Sequence, residues 1–144
     1  MPSFKLTMED MALIATFERI TGVSPIDVIR DDETDRVIFV VREKQLGRAV
    51  GKGGSNVRAA SEALGKTVDI VEHADTAEEF VKRALAPARV ERVRISQNAS
   101  GALVATVSVK PEDRGIAIGK DGRNVERARR LAKRHFGLDS VMID

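Results

Sequence analysis

The sequence has no cysteine, no tryptophan and no tyrosine, and its only imidazoles, His73 and His135, lie 62 residues apart. Without thiols there is neither a disulfide framework nor a thiolate metal site. Two isolated histidines form no catalytic triad and no metal cluster, and His135, near the apolar side of its helix, reads as a packing residue. No metal or other cofactor is expected, and no enzymatic activity. Five phenylalanines are the whole aromatic content, too few for a nucleic-acid reader built on stacking platforms. No apolar run approaches the roughly 18 residues of a membrane span. The opening "MPSFKLTMED" lacks the basic stretch and apolar core of a secretory signal, so the expectation is a cytoplasmic protein with no membrane partner. The acidic run Asp31, Asp32, Glu33 and Asp35 lacks the glycine and distal glutamate of a calcium loop and reads as a solvated hairpin turn.

What is present is a soluble globular composition, 42% hydrophobic and 32% charged over 144 residues, with an uneven charge. The formal net charge is +2. Residues 42–66 hold six Lys/Arg against two acids, and residues 114–134 hold eight against two, leaving the rest of the chain at −8. Basic charge concentrated in two segments points to a polyanionic ligand.

Those segments centre on "VGKGGSNVRAA" and "IGKDGRNVERA", which begin 68 residues apart. Their surroundings repeat too. Thr7 with Asp10 and Thr76 with Glu79 are capping-box signatures for two helices. Two strands follow in each copy, "IDVIR" and "RVIFVV", then "VERVRI" and "ALVATVSV". A short helix (Glu43 to Val50, or Glu112 to Ile118), the glycine turn, a second helix and a closing strand complete each unit. The order α-β-β-α-α-β therefore occurs twice, an α+β fold with domains at 1–74 and 75–144. Each unit is small enough that the two are expected to dock. "RVIFVV" is apolar on both faces while "TVSV" alternates, so the first sheet has either a second neighbour or little exposed surface.

The opening N–H groups of a helix lack intrahelical acceptors and carry the positive end of its dipole. Glycines in front of them let backbone amides approach an anion, and a lysine in the turn adds a mobile charge. A nucleotide P-loop is excluded: only three residues separate Gly47 from Gly51 and Gly115 from Gly119, and Gly53 or Asp121 stands where a magnesium-binding hydroxyl is needed. A dinucleotide fingerprint fails because the turn joins two helices, not a strand and a helix.

A hydrophobic-G-x-x-G turn between two helices of such a unit resembles the KH arrangement, in which the turn clamps about four nucleotides of single strand. The element order is that of the type II form, with three-stranded mixed sheets packed against helices. Candidate RNA-binding residues are Gly51, Lys52, Gly53, Gly54 and Arg58 in the first unit, with Arg48 flanking. In the second they are Gly119, Lys120, Asp121, Gly122, Arg123 and Arg127. Arg123, Arg127, Arg130 and Arg134 share one helical face, the first two within reach of a bound strand and Arg134 solvated or turned to another partner. Asp121 either points to solvent or weakens its site.

The stretches "EKQLGRAVGKGGSNVRAASEALGKTVDIVEH" and "EDRGIAIGKDGRNVERARRLAKRHFGLDSVMID" resemble the archaeal NusA-like transcription factors, tandem type II KH proteins. Bacterial members add an N-terminal polymerase-binding domain and an OB-fold domain, neither of which is visible in these residues. The resemblance implies a factor that binds nascent single-stranded RNA and modulates elongation or termination, with RNA polymerase or other transcription factors as protein partners. A self-contained pair of domains suggests a monomer. Two alternatives stay open: an RNA-binding module of ribosome assembly or translation, and a protein-interaction scaffold that no longer binds RNA.

Overall fold

The structure, a computed structural model, describes residues 5–144; residues 1–4, where the first domain was expected to begin, lie outside the described residues. The chain divides at His73 and Ala74 into two compact units.

The first unit opens with helix α1 (Met8–Thr21). Its start is fixed by a complete capping box: the Thr7 hydroxyl accepts from the Asp10 N–H, and the Asp10 carboxylate accepts from the Thr7 N–H, both at 3.0 Å. Gly22 ends it at φ 73°, donating to the Glu18 carbonyl. Strands β1 (Asp27–Asp31), β2 (Arg36–Val41) and β3 (Thr67–Glu72) form a sheet in that order, antiparallel then parallel. Helices α2 (Leu46–Val50) and α3 (Ser55–Leu64) lie between β2 and β3 in the chain. The core forms where Phe17 of α1 stacks on Phe39 of β2, ring centroids 4.1 Å apart, with Val28, Val37, Val41, Ala49, Ala60 and Val68 around them. Burying one such phenylalanine is worth about 3 kcal/mol. All six residues of β2 are buried, so the strand's apolar character on both faces matches its surroundings.

The second unit repeats the order with α4 (Ala77–Ala84), β4 (Val90–Gln97), β5 (Leu103–Val109), α5 (Arg114–Ile118), α6 (Arg123–Phe136) and β6 (Ser140–Ile143). Its sheet runs β4-β5-β6, again antiparallel then parallel. Ala105 and Val107 of β5, Val141 of β6, Ala128 and Leu131 of α6 and Phe80 of α4 are fully buried. His135 is buried against the Phe80 ring at 5.1 Å, in the packing role its sequence position suggests. Each half of the chain is thus an α+β unit with a mixed three-stranded sheet. No helix among the described residues is long and apolar enough to cross a membrane.

Two expected helix starts need correction, and a third is met at its capping hydroxyl. Helix α2 starts at Leu46, not Glu43, because Lys44 sits at φ 70°, a left-handed conformation that a helix cannot contain. Helix α5 starts at Arg114, since Pro111–Asp113 form a separate 3₁₀ turn. At the start of α4 the Thr76 hydroxyl accepts from the Glu79 N–H at 3.2 Å, while the Glu79 carboxylate also lies 3.4 Å from Arg83 Nε, one turn on.

Candidate nucleic-acid interface

The two glycine turns have one backbone shape. Gly51 and Gly119 stand at φ/ψ of 79/164° and 80/169°, a region open in practice only to glycine. Gly53 (61/21°) and Asp121 (57/26°) are left-handed, as are Gly54 (79/16°) and Gly122 (75/13°). Each turn closes on itself, Gly54 N–H to the Gly51 carbonyl at 3.0 Å and Gly122 N–H to the Gly119 carbonyl at 3.1 Å.

Steric limits explain which turn positions must be glycine. A Cβ on Gly51 would lie 2.8 Å from the Asn56 backbone nitrogen, and one on Gly119 would lie 2.8 Å from that of Asn124. No side chain fits there. A Cβ on Gly53 meets nothing within 4 Å, so at that position only the left-handed backbone must be accommodated. Aspartate is among the few residues that tolerate it, which is how Asp121 occupies the equivalent place.

The turns feed α3 and α6 with Gly54 and Gly122 as N-caps, and neither helix start has a side-chain capping bond. In α1 and α4, by contrast, Thr7 and Thr76 occupy that role. The first N–H groups, of Ser55 and Arg123, donate to the Lys52 and Lys120 carbonyls within the turns, so what these helix starts present to an anion is the positive end of the dipole with no side-chain oxygen over it.

A side-chain amide bridges each turn: Asn56 Nδ2 donates to the Arg48 carbonyl at 3.0 Å, and Asn124 Nδ2 to the Ile116 carbonyl at 2.8 Å. These bonds tie the start of the second helix to the short helix before the turn. The sequence contains the signal, an asparagine two residues past each last glycine, but its task is visible only when the two helices are brought together.

The cationic side chains divide sharply. Lys52 and Lys120 are exposed on their turns. Arg58 folds back over the first turn, its Nη1 donating to the Gly53 carbonyl at 2.6 Å. Arg123 is half-buried at the start of α6, and its Nε is buried with no hydrogen-bond partner. Arg127 departs from expectation. It is buried, and its guanidinium donates to the Ala84 carbonyl at 3.2 and 2.8 Å and to the Ala86 carbonyl at 3.0 Å. It shares the inner side of α6 with Ala128, Leu131 and His135, so its charge serves the turn after α4, not a strand at the surface.

The second turn is carried on an electrostatic tie. Asp113, at the N-cap of α5, accepts from the Arg89 backbone N–H at 2.7 Å and from its Nε and Nη2 at 2.9 and 3.1 Å. These bonds, with the guanidinium charge, lower its pKa from 3.8 to about 2. Behind α6, Lys133 and the Leu103 N–H bond Asp139 and hold its carboxyl below the usual range.

A paired set of helix–G-x-x-G–helix turns, each in an α-β-β-α-α-β unit, defines a tandem KH protein, a class whose fold binds single-stranded RNA. Residues 13–77 match the KH domain model, and residues 77–142 match the NusA-like second KH domain. A probable transcription termination protein NusA from Halococcus morrhuae is 48% identical over 95% of this chain and 97% of its own length. The protein of the same name from Methanocaldococcus jannaschii is 36% identical over 99% and 76%. A solved crystal structure, 37% identical, superposes with a TM-score of 0.84 over 96% of this chain and 100% of its own. The chain belongs to the NusA family of KH-domain proteins.

Proposed function

We propose that the two glycine turns clamp the backbone of a single-stranded RNA, and that the protein modulates transcription elongation or termination by holding nascent RNA. The carrying observation is the repeated turn itself: the same backbone twice, each opening onto a helix start with no side-chain cap and with an exposed lysine beside it. Gly51, Lys52, Gly53, Gly54 and Arg58 form the first clamp, and Gly119, Lys120, Asp121, Gly122 and Arg123 the second. The domains are 1–74 and 75–144, one clamp on each. The name these relatives carry, transcription termination protein, supports nascent RNA as the ligand. RNA polymerase or another transcription factor is then the protein partner. The protein acts as a cytoplasmic monomer without catalytic activity.

The test is titration of a short single-stranded RNA against wild type and the variant Lys52→Asp/Gly53→Asp/Lys120→Asp at two salt concentrations. Gly53→Asp places an aspartate where Asp121 already sits in the sister turn, so folding is retained. The variant is expected to lose most of its affinity and to show a flatter salt dependence, since each lost phosphate contact removes about 0.7 from the log–log slope. Absence of wild-type binding, or equal binding by the variant, overturns the proposal.

A further inference from the structure

The two turns match in backbone but not in charge. The bridging asparagines set the correspondence, each reaching eight residues back to the same place on the short helix. Position 48 therefore answers to 116, 52 to 120, 53 to 121, 55 to 123 and 58 to 126. In the first unit these are Arg48, Lys52, Gly53, Ser55 and Arg58, a charge of +3; in the second they are Ile116, Lys120, Asp121, Arg123 and Glu126, a charge of zero. The basic surplus of the second segment lies at Arg114, at the start of α5, where it donates to the Asp144 carbonyl, and further along α6, where Lys133 bonds Asp139 and Arg127 is buried. Arg129 there pairs with Glu126 and donates to the Val141 carbonyl.

Near the turns the contrast is direct. Arg58 holds a guanidinium against the first turn through the Gly53 carbonyl, while the second turn has the Asp121 carboxylate in its middle and Glu126 one helical turn on. Where Arg48 stands in the first unit, the second has Ile116, an isoleucine 45% exposed. Arg48 itself rests beside Gly22, where a Cβ would approach its Nη2 to 3.3 Å, so Lys52 and Arg58 are the cations that face a ligand on the first turn.

We infer that the two clamps divide the work of holding RNA, each gripping it by a different means. The first is the electrostatic clamp, which neutralises phosphates and supplies most of the salt-dependent affinity. The second is close to neutral and holds the strand through the positive end of its helix dipole and the exposed face of Ile116, contacts that release few counterions. This rests on the RNA reading above and assigns its parts.

The experiment measures the slope of log affinity against log salt for a single-stranded RNA of roughly a dozen nucleotides, longer than the four or so that one clamp holds. Lys52→Ala should flatten the slope by about 0.7, the value of one single-strand phosphate contact, and Lys120→Ala, beside the Asp121 carboxylate, should flatten it by clearly less. An exchange of charge gives the converse. Gly53→Asp/Arg58→Glu makes the first turn resemble the second and should cost at least tenfold in affinity at low salt. Asp121→Gly/Glu126→Arg makes the second resemble the first and should raise low-salt affinity several-fold with a steeper slope. Circular dichroism confirms that each variant is folded. Equal slope changes for Lys52→Ala and Lys120→Ala, or no gain from Asp121→Gly/Glu126→Arg, would overturn the division of labour and leave RNA binding standing. If wild type fails to bind, the underlying reading falls first.

Discussion

The side-chain amide of Asn124 donates to the carbonyl oxygen of Ile116 across the second turn at 2.8 Å, and Asn56 does the same to Arg48 across the first at 3.0 Å. The bond fixes the angle at which the N–H groups of α6 and α3 leave the turn. Asn124→Ala should cost about 1 kcal/mol of stability, the usual net worth of one such bond. It should also speed hydrogen exchange at Gly122 and weaken RNA binding several-fold. Exchange at Gly122 as slow as in wild type would reduce the asparagine to a bystander.

Arg127 has a different job from the neighbours it was grouped with. Replacing it with leucine strands the Ala84 and Ala86 carbonyls without their donor and should destabilise the second unit by about 2–3 kcal/mol. Urea denaturation reads this directly. RNA affinity, measured where the variant is fully folded, is expected to stay within about threefold of wild type; a larger loss would return Arg127 to the binding surface.

Glycine is required unequally within each turn. Gly51→Ala puts a methyl 2.8 Å from a backbone nitrogen and demands a backbone conformation reserved for glycine, a cost of about 2–3 kcal/mol. Gly53→Ala meets open space and needs only a left-handed residue, about 1 kcal/mol. The difference between the two unfolding free energies tests the turn geometry without any ligand.

Stability in acid should depend on Asp113. Its folded pKa of about 2 lies below the ordinary 3.8, so its contribution is complete above 3.8 and disappears as pH falls toward 2. Asp113→Asn should therefore lower the denaturation midpoint at neutral pH, and its deficit relative to wild type should shrink across that window. A deficit independent of pH would mean that shape, not charge, ties Asp113 to Arg89.

Much of this architecture could be read from residue order. Thr7 with Asp10 announced the start of α1, and the repeated glycine turns announced both helix pairs, because these signals act within a few residues of themselves. The face of Arg127 could not be read so. A helical wheel places it beside Arg123, but only the fold brings the carbonyls of Ala84 and Ala86 within its reach. The same holds for Asp113, whose partner Arg89 lies 24 residues earlier. Helix α2 was drawn too long because nothing in "REKQ" reveals that Lys44 turns left-handed.

The open space around Gly53 has an evolutionary corollary. A glycine codon becomes an aspartate codon by one base change, and at this position the exchange needs no refolding, as Asp121 illustrates. In a repeated fold, a change at a single such position can retune one turn while the other is left as it was. A lineage could thus adjust how tightly the pair holds its ligand in high-salt or low-salt cells by small steps, none passing through a broken protein.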